Sequence, residues 1–234
     1  MNIDIVIPCY NENKNLEKIL KKIEGFKNLK YLKFILVNNG STDNSFKNKK
    51  IIKFLKLDNV KLVNIKKNKG YGNGILKGLS HSKSEYVGWT HADVKNLNEE
   101  ISKIILIIKK NNKSNIFIKG IRKGKRTLIE MFFSTGLSLV SSILLQKFFY
   151  EITAQPTIFN KKLLKKFKNP PIDFSLDLYA YYIAKKYKYN FKRVNINYNL
   201  RKYGVSSWNK NFFSKVFLSI DYLKFIIKLF IKRC

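Results

Sequence analysis

The sequence predicts an α/β fold: a doubly wound, mainly parallel sheet flanked by helices, followed by a C-terminal amphipathic helical segment. Three observations predict it. Short apolar runs without helical period recur at Ile3–Pro8, Phe34–Val37, Val60–Ile65 and Tyr86–Thr90, the pattern of buried strands. Each run stops on short polar residues or glycines. Stretches with helical spacing lie between the runs, and the order strand, polar loop, helix is that of crossover units in a parallel sheet. The chain has 234 residues, 45% of them hydrophobic, enough for one sizeable core. One domain over residues 1–207, with a segment at 208–234 appended, is expected.

The first run, IDIVIP, opens into Cys9-Tyr10-Asn11-Glu12-Asn13. Asn13 or Asn15 is the expected cap of a helix to about Gly25, with Leu16, Ile19, Leu20 and Ile23 as its apolar stripe. The second run ends in Asn38-Asn39-Gly40-Ser41-Thr42-Asp43, side chains that favour turns and helix starts. The third leads to Asn68-Lys69-Gly70-Tyr71-Gly72-Asn73-Gly74 and a helix through Leu76 and Leu79. That loop is neither GxGxxG nor a Walker sequence; its glycines allow close approach to a ligand or to a neighbouring loop. The fourth run stops on His91 and Asp93, with only Ala92 between them. Ligands of open α/β sheets sit at the carboxyl ends of strands. A His and an Asp at i and i+2 there can both face one cation or phosphate. The alternative is a turn in which Asp93 caps the helix beginning near Leu97 or Asn98.

Lys plus Arg is 47 against 15 Asp plus Glu, a formal charge of +32. Such a chain is drawn to anions: nucleotides, nucleic acid or an anionic lipid surface. The lysines are spread along the chain, and no nucleic-acid-binding motif is recognisable, so a nucleic-acid partner is not expected. The two cysteines, Cys9 and Cys234, offer neither a disulfide framework nor a CxxC site, which fits a reducing cytosol. No signal peptide is expected, because Asp4 interrupts the start and the apolar run ends at Pro8.

Four loops in this order, IPCYNE at Ile7–Glu12, VNNGSTD at Val37–Asp43, NKGYGNGILKG at Asn68–Gly78 and HAD at His91–Asp93, resemble the family 2 glycosyltransferases. Downstream, Gly120-Ile121-Arg122 resembles the family's GxR. Ala154–Phe159 and Arg201–Ser206 resemble stretches of its dolichyl-phosphate mannosyltransferase branch, so the likeness covers about Ile3 to Ser207. The resemblance implies an inverting enzyme of the GT-A fold, a nucleotide-diphosphate sugar donor and a Mn2+ or Mg2+ cofactor. Pro8, Tyr10 and Glu12 match its first nucleotide-binding loop. Asn39 stands where the family often has an Asp that reads the base, with Ser41 and Asp43 in the same loop. Gly70 and Gly72 belong to the third loop. His91, Ala92 and Asp93 match the DXD element, with Asp93 as the metal-holding carboxylate and His91 in place of the first Asp. A neutral imidazole suits Mn2+ better than Mg2+.

For the chemistry, the resemblance implies Asp177 as general base for a sugar hydroxyl, with Asp173 as runner-up or helix cap. It implies Arg201 as counter-charge to the departing diphosphate, with Ser206 and Ser207 as hydroxyl donors. If the acceptor is instead a polyprenyl phosphate, no base is needed and Arg122 and Arg126 would hold its phosphate, since guanidinium forks suit phosphate oxygens. Lipid-phosphate and glycan acceptors both stay open, in synthesis of cell-envelope glycoconjugates. A catalytically degenerate nucleotide-sugar binder is the alternative that His91 and the Asn38-Asn39 pair raise, and a basic nucleic-acid-binding protein, raised by charge alone, ranks below it.

Two apolar stretches bear on membranes. Thr127–Phe149 has Glu130 and Lys147 near its ends, and its uncharged part, Met131–Gln146, is shorter than the ~20 residues that span a bilayer. A core or interfacial helix is expected. In Phe212–Ile231 the apolar residues are interrupted by Lys215, Asp221, Lys224 and Lys228, which disfavours spanning. A basic amphipathic helix on an anionic leaflet is expected there, with packing on the catalytic domain as the alternative. The implied location is cytoplasmic, peripheral on the inner face of the cytoplasmic membrane.

Overall fold

The structure is a computed structural model that describes residues 1–111, 115–124, 126–197 and 212–231. In chain order its elements are β1 (Ile3–Cys9), α1 (Asn13–Glu24), β2 (Leu32–Asn39), α2 (Lys49–Phe54), β3 (Val60–Ile65), α3 (Tyr71–Ser80), β4 (Tyr86–Trp89) and α4 (Leu97–Lys110). Then follow β5 (Ile116–Lys123), α5 (Leu128–Leu145), β6 (Thr157–Asn160), a 3-10 turn at Lys161–Lys166, α6 (Leu176–Lys186), β7 (Asn190–Asn197) and α7 (Phe212–Ile231).

The strands form one seven-stranded sheet in the order β3-β2-β1-β4-β6-β5-β7. β6 pairs antiparallel with both β4 and β5, and every other pairing is parallel. Six strands therefore end on one edge, and β6 begins there. Both faces are covered, which is why the parallel strands read as near-continuous apolar runs. Ile3, Ile5 and Ile7 of β1 pack with the α1 stripe Leu16, Ile19, Leu20 and Ile23 and with Ile101, Ile104 and Ile108 of α4. Val6, Val37, Val87 and Trp89 point the other way, toward Ile75 and Leu79 of α3 and the buried face of α6.

Two caps differ from expectation. The cap of α1 is Glu12, not Asn13 or Asn15, and it makes no side-chain cap bond. Its Oε2 instead accepts from Asn15 Nδ2 at 2.6 Å, while its carbonyl accepts the N–H groups of Asn15 and Leu16. The cap of α4 is Asn96, so Asp93 lies upstream of the helix start.

Glu100, in the first turn of α4, is 7% exposed. Burial, and then the neighbouring Glu99 charge, push its pKa up to about 7. A carboxyl raised in the folded state contributes stability below its unfolded pKa and loses it as pH climbs through about 7. Glu100→Gln should therefore leave stability near pH 4 unchanged and raise it at pH 8 by on the order of 2 kcal/mol. Urea titrations at the two pH values check this.

The terminal helix is not a loose appendage. Tyr222, Ile226 and Leu229 of α7 join the core beside α6, and Tyr222 Oη donates to the Phe174 carbonyl at 2.7 Å. α7 also packs against α5. Packing on the domain is thus realised along one face, while Phe213, Phe217, Ile220, Leu223 and Ile227 stay exposed along the other.

Candidate active site

The strand-end edge is laced by Asn11. Its backbone takes a left-handed conformation, φ 55°, which asparagine tolerates better than most residues. Its Oδ1 accepts from the backbone N–H groups of Thr42 (2.9 Å) and Asp43 (3.3 Å). Its Nδ2 donates to Thr42 Oγ1 (3.1 Å), and its backbone N–H donates to Ser41 Oγ (3.2 Å). The loop after β1, with Pro8, Tyr10 and Glu12, is thereby tied to the loop after β2. Tyr10 is 43% exposed, its ring presented at this edge. Asp43 turns its Oδ1 to the Ser45 N–H and hydroxyl, so it shapes the loop from within.

Asn39 ends β2 and is buried. Its Nδ2 donates to the Gly70 carbonyl (3.1 Å) and to Asn68 Oδ1 (3.4 Å), while its Oδ1 accepts nothing among the described residues. A buried acceptor without a donor is costly. The glycine loop beside it serves contact with a neighbouring loop. A Cβ on Gly70 (φ +117°) would meet the Ile172 carbonyl oxygen at 2.5 Å, and one on Gly72 the Asp173 oxygen at 2.6 Å. The Asn73 N–H donates to the Ile172 carbonyl at 2.8 Å. The loop thus docks Pro171–Asp173, the lead-in to α6, onto the strand edge.

β4 delivers His91, Ala92 and Asp93 to the same edge, with His91 and Asp93 partly exposed and Ala92 buried. Lys22 of α1 clamps the turn that follows, donating to the carbonyls of Val94 (2.7 Å) and Lys95 (2.6 Å). No group of three His, Cys, Asp or Glu residues gathers anywhere among the described residues. His91 and Asp93 fit a divalent cation only as a partial set, one nitrogen and one carboxylate. The remaining positions must come from water and from a ligand's phosphate oxygens, as Mg2+ and Mn2+ take them in nucleotide sites.

Asp177, in the first turn of α6, is 3% exposed and sits over a row of side chains drawn from three strands. Trp89, Thr157 and Lys119 lie side by side, because Thr157 pairs with Trp89 on one side and Lys119 on the other. Asp177 Oδ1 accepts from Trp89 Nε1 (3.1 Å), Lys119 Nζ (3.3 Å) and Thr157 Oγ1 (3.5 Å). Its Oδ2 accepts from Tyr71 Oη (3.3 Å), which is itself bonded to Gln155 Nε2. Lys119 is 0% exposed and also donates to the Ala154 carbonyl and Thr157 Oγ1, both at 2.8 Å. Burial pushes its pKa down to about 8, and the Asp177 charge opposes that fall. Burial, then the same carboxylate, raises Tyr71 well above the usual phenol range. Asp173 Oδ1 accepts the Ser175 N–H at 2.7 Å, the helix-start role.

Arg122 and Arg126 converge on one carboxylate. Arg122 Nε meets Glu151 Oε2 at 2.5 Å, and Arg126 meets Glu151 Oε1 at 2.8 Å. Arg122 also donates to Thr153 Oγ1, and Arg126 to Ser134 Oγ and the Glu130 carbonyl. Two guanidiniums against one carboxylate leave a net positive charge. Arg201, Ser206 and Ser207 lie outside the described residues.

Glycosyl transferase family 2 matches residues 4–154, more than half of the chain. The chain belongs to this family. An uncharacterised protein of Methanocaldococcus jannaschii is 31% identical over 153 residues, 62% of this chain and 64% of that protein. The undecaprenyl-phosphate 4-deoxy-4-formamido-L-arabinose transferase of Edwardsiella ictaluri is 30% identical over 105 residues, 44% of this chain. The chain covers only 32% of that transferase's length. In three dimensions the chain is similar to the Mycobacterium tuberculosis glucosyl-3-phosphoglycerate synthase, with TM-score 0.71 at 14% identity over 95% of this chain and 78% of that one. The same enzyme solved with Mn2+, UDP-glucose and phosphoglyceric acid matches with TM-score 0.68 at 13% identity, over 96% and 79%. At these identities the likeness is one of fold, and the fold is GT-A.

Within this family 2 chain, the structure adds residues that carry no motif of their own: Lys22 behind the HAD turn, Lys119, Trp89 and Thr157 around Asp177, and Glu151 between the arginines. A lysine inside the apolar run Ile116–Ile118 to Ile121 was the one available sign, since lysine in a central strand needs a buried acceptor.

Proposed function

We propose that this family 2 protein is an inverting glycosyltransferase that moves a sugar from a nucleotide-diphosphate sugar to a lipid-linked phosphate. The environment of Asp177 carries the choice of acceptor. Its carboxylate is buried and accepts from four side chains, among them a lysine that neutralises it, so it is poorly placed to take a proton from an incoming hydroxyl. A phosphate acceptor is already anionic and needs no base. Its oxygen forms the new bond to the anomeric carbon on the face opposite the breaking bond, and the nucleoside diphosphate leaves with that electron pair. Asp177 in this reading is the anchor that fixes α6 over the strand edge. The relatives named as undecaprenyl-phosphate transferases support the lipid-phosphate acceptor.

On the donor side, Asn39 Oδ1 accepts a base N–H and Tyr10 offers a ring for stacking. Asp93 and His91 would hold a divalent cation that supplies counter-charge to the leaving diphosphate. The structural neighbour solved with Mn2+ and UDP-glucose supports a divalent cation beside the donor. Arg201 and Ser206 are proposed to share the counter-charge, and the Arg122–Arg126 pair to draw the acceptor phosphate. The site of action is the inner face of the cytoplasmic membrane, where the basic chain meets anionic lipid.

The test is thermal stabilisation by UDP-, GDP-, CDP- and dTDP-sugars, each with Mn2+, Mg2+ or EDTA. One nucleotide class at ~100 times its dissociation constant should add about 2.7 kcal/mol with metal present. Absence of a shift with every donor would sink the donor assignment.

A further inference from the structure

We propose that a groove at the sheet edge opposite the HAD turn binds a small phosphomonoester, its phosphate held by Lys147 and Lys185 with Arg193 behind them and its organic part against Phe148. The groove has a volume of about 290 Å3 and is lined by Lys147, Phe148, Lys185, Tyr189 and Phe191. Its place follows from the topology. β7 is the last strand of the sheet and runs parallel to β5, so Tyr189 and Phe191 lie where the parallel strands begin, away from the edge that carries His91 and Asp93. Lys185 stands in the last turn of α6 and Asp177 in the first, about 12 Å apart along the helix axis. The remaining wall is also fixed. α5 ends on Gln146 in a left-handed conformation (φ 49°), and Ser142 Oγ accepts the Phe149 N–H at 2.9 Å, which holds the connection that carries Lys147 and Phe148.

The groove gathers cations without an acid. Lys185 Nζ lies 4.8 Å from the centroid of the Phe191 ring and 5.7 Å from that of Tyr181, and Arg193 Cζ lies 5.3 Å from the same Tyr181 centroid. Two cations thus share one ring. Burial, then the charges of Arg193 and Lys147, hold the Lys185 pKa below the usual lysine range. Arg193 donates to the Tyr150 carbonyl and the Tyr181 hydroxyl, and its buried Nη1 has no acceptor among the described residues. No carboxylate among the described residues pairs with Lys147, Lys185 or Arg193. Glu151, nearby in the chain, is engaged by Arg122 and Arg126. A fully solvated lysine needs no partner, but Lys147 and Lys185 are half-buried, and like charges gathered there without a counter-ion oppose one another.

These features select the ligand. Three cations call for more than one negative charge, which a phosphomonoester carries and a carboxylate does not. Its oxygens give acceptors to ammonium and guanidinium N–H groups. The Phe191 and Tyr181 rings already have cations on their faces. Phe148, 72% exposed at the lip, is the ring left for the organic part of the ligand to cover. The site lies apart from the donor loops and does not depend on the transferase reading.

The experiment is titration calorimetry of the full chain with phenyl phosphate and with inorganic phosphate, at fixed ionic strength and in EDTA, which silences metal-dependent binding at the HAD turn. It is repeated for Lys147→Gln/Lys185→Gln, for Phe148→Ser and for Arg126→Gln, with circular dichroism confirming that each variant is folded. Wild type should bind phenyl phosphate about tenfold more tightly than inorganic phosphate, and the lysine double variant should bind both about tenfold more weakly. Phe148→Ser should lose the preference for phenyl phosphate, and Arg126→Gln should bind as wild type. Four results would overturn the site: no binding by wild type, a lysine double variant that binds as wild type, equal affinity for the two probes, or loss of binding on Arg126→Gln alone, which would move the phosphate to the arginine pair. The thermal shift with nucleotide sugars reports on the donor assignment separately, so either reading can fail while the other stands.

Discussion

Lys119→Met should lower the folding stability of this chain by about 3–5 kcal/mol, the cost of leaving a buried carboxylate without its counter-ion. Lys119 Nζ is the only cation in contact with Asp177 among the described residues, and both side chains are removed from water. Methionine fills the space of the lysine stem without strain but supplies no charge and no N–H. The Ala154 carbonyl and Thr157 Oγ1 lose a donor in the same step. Urea unfolding measures the loss. The discriminating variant is Lys119→Met/Asp177→Asn, in which the uncompensated charge is gone, the amide oxygen still accepts from Trp89, and the amide NH2 faces the Tyr71 hydroxyl, which can turn to accept. If the pair acts as described, the double variant recovers more than half of what the single one loses, a large coupling between neighbours. A double variant no better than the single one would show that the charge on Asp177 is not the issue.

Asp93→Ala should abolish the metal-dependent part of the donor's stabilisation. At ~100 times the dissociation constant, the wild-type shift is about 2.7 kcal/mol, and a ligand bound a hundredfold more weakly gives only about 0.4 kcal/mol. The loss should be confined to samples with Mn2+ or Mg2+. His91→Asp should keep the shift and move the preference from Mn2+ toward Mg2+, since it exchanges a nitrogen ligand for an oxygen one. An Asp93→Ala variant that still responds to metal would place the cation elsewhere.

The first half of the fold was legible because its parallel strands are covered on both faces, so each appears as an unbroken apolar run ending in polar residues. The strand-end loops were legible for the same reason, lying wherever those runs stopped. The Asp177 network was not. Its members come from β4, β5, β6 and α6, and they meet only because β6 enters the sheet antiparallel, between β4 and β5. No local spacing encodes that insertion. The glycine loop allowed two readings, and the carbonyls of Pro171–Asp173, a hundred residues away, decide between them. For α5 the apolar residues run round most of the helix, Leu137, Val140, Leu144 and Leu145 toward the core and Leu128, Phe132, Leu139 and Ile143 outward, so the sequence shows no single face to assign.

Asn11 carries a consequence for how a donor is received. By bonding Ser41, Thr42 and Asp43, it makes the first two strand-end loops a single stiff lip before any ligand arrives. Lys22 does the same for the turn after Asp93, from the helix that springs from the first of those loops. If these loops receive the donor as proposed, most of the ordering that a flexible nucleotide pocket must undergo on binding is completed during folding, and the association free energy keeps what ordering would otherwise subtract. In that reading, selectivity among bases becomes a matter of fit to a rigid rim, with little room for the rim to adapt to the wrong one.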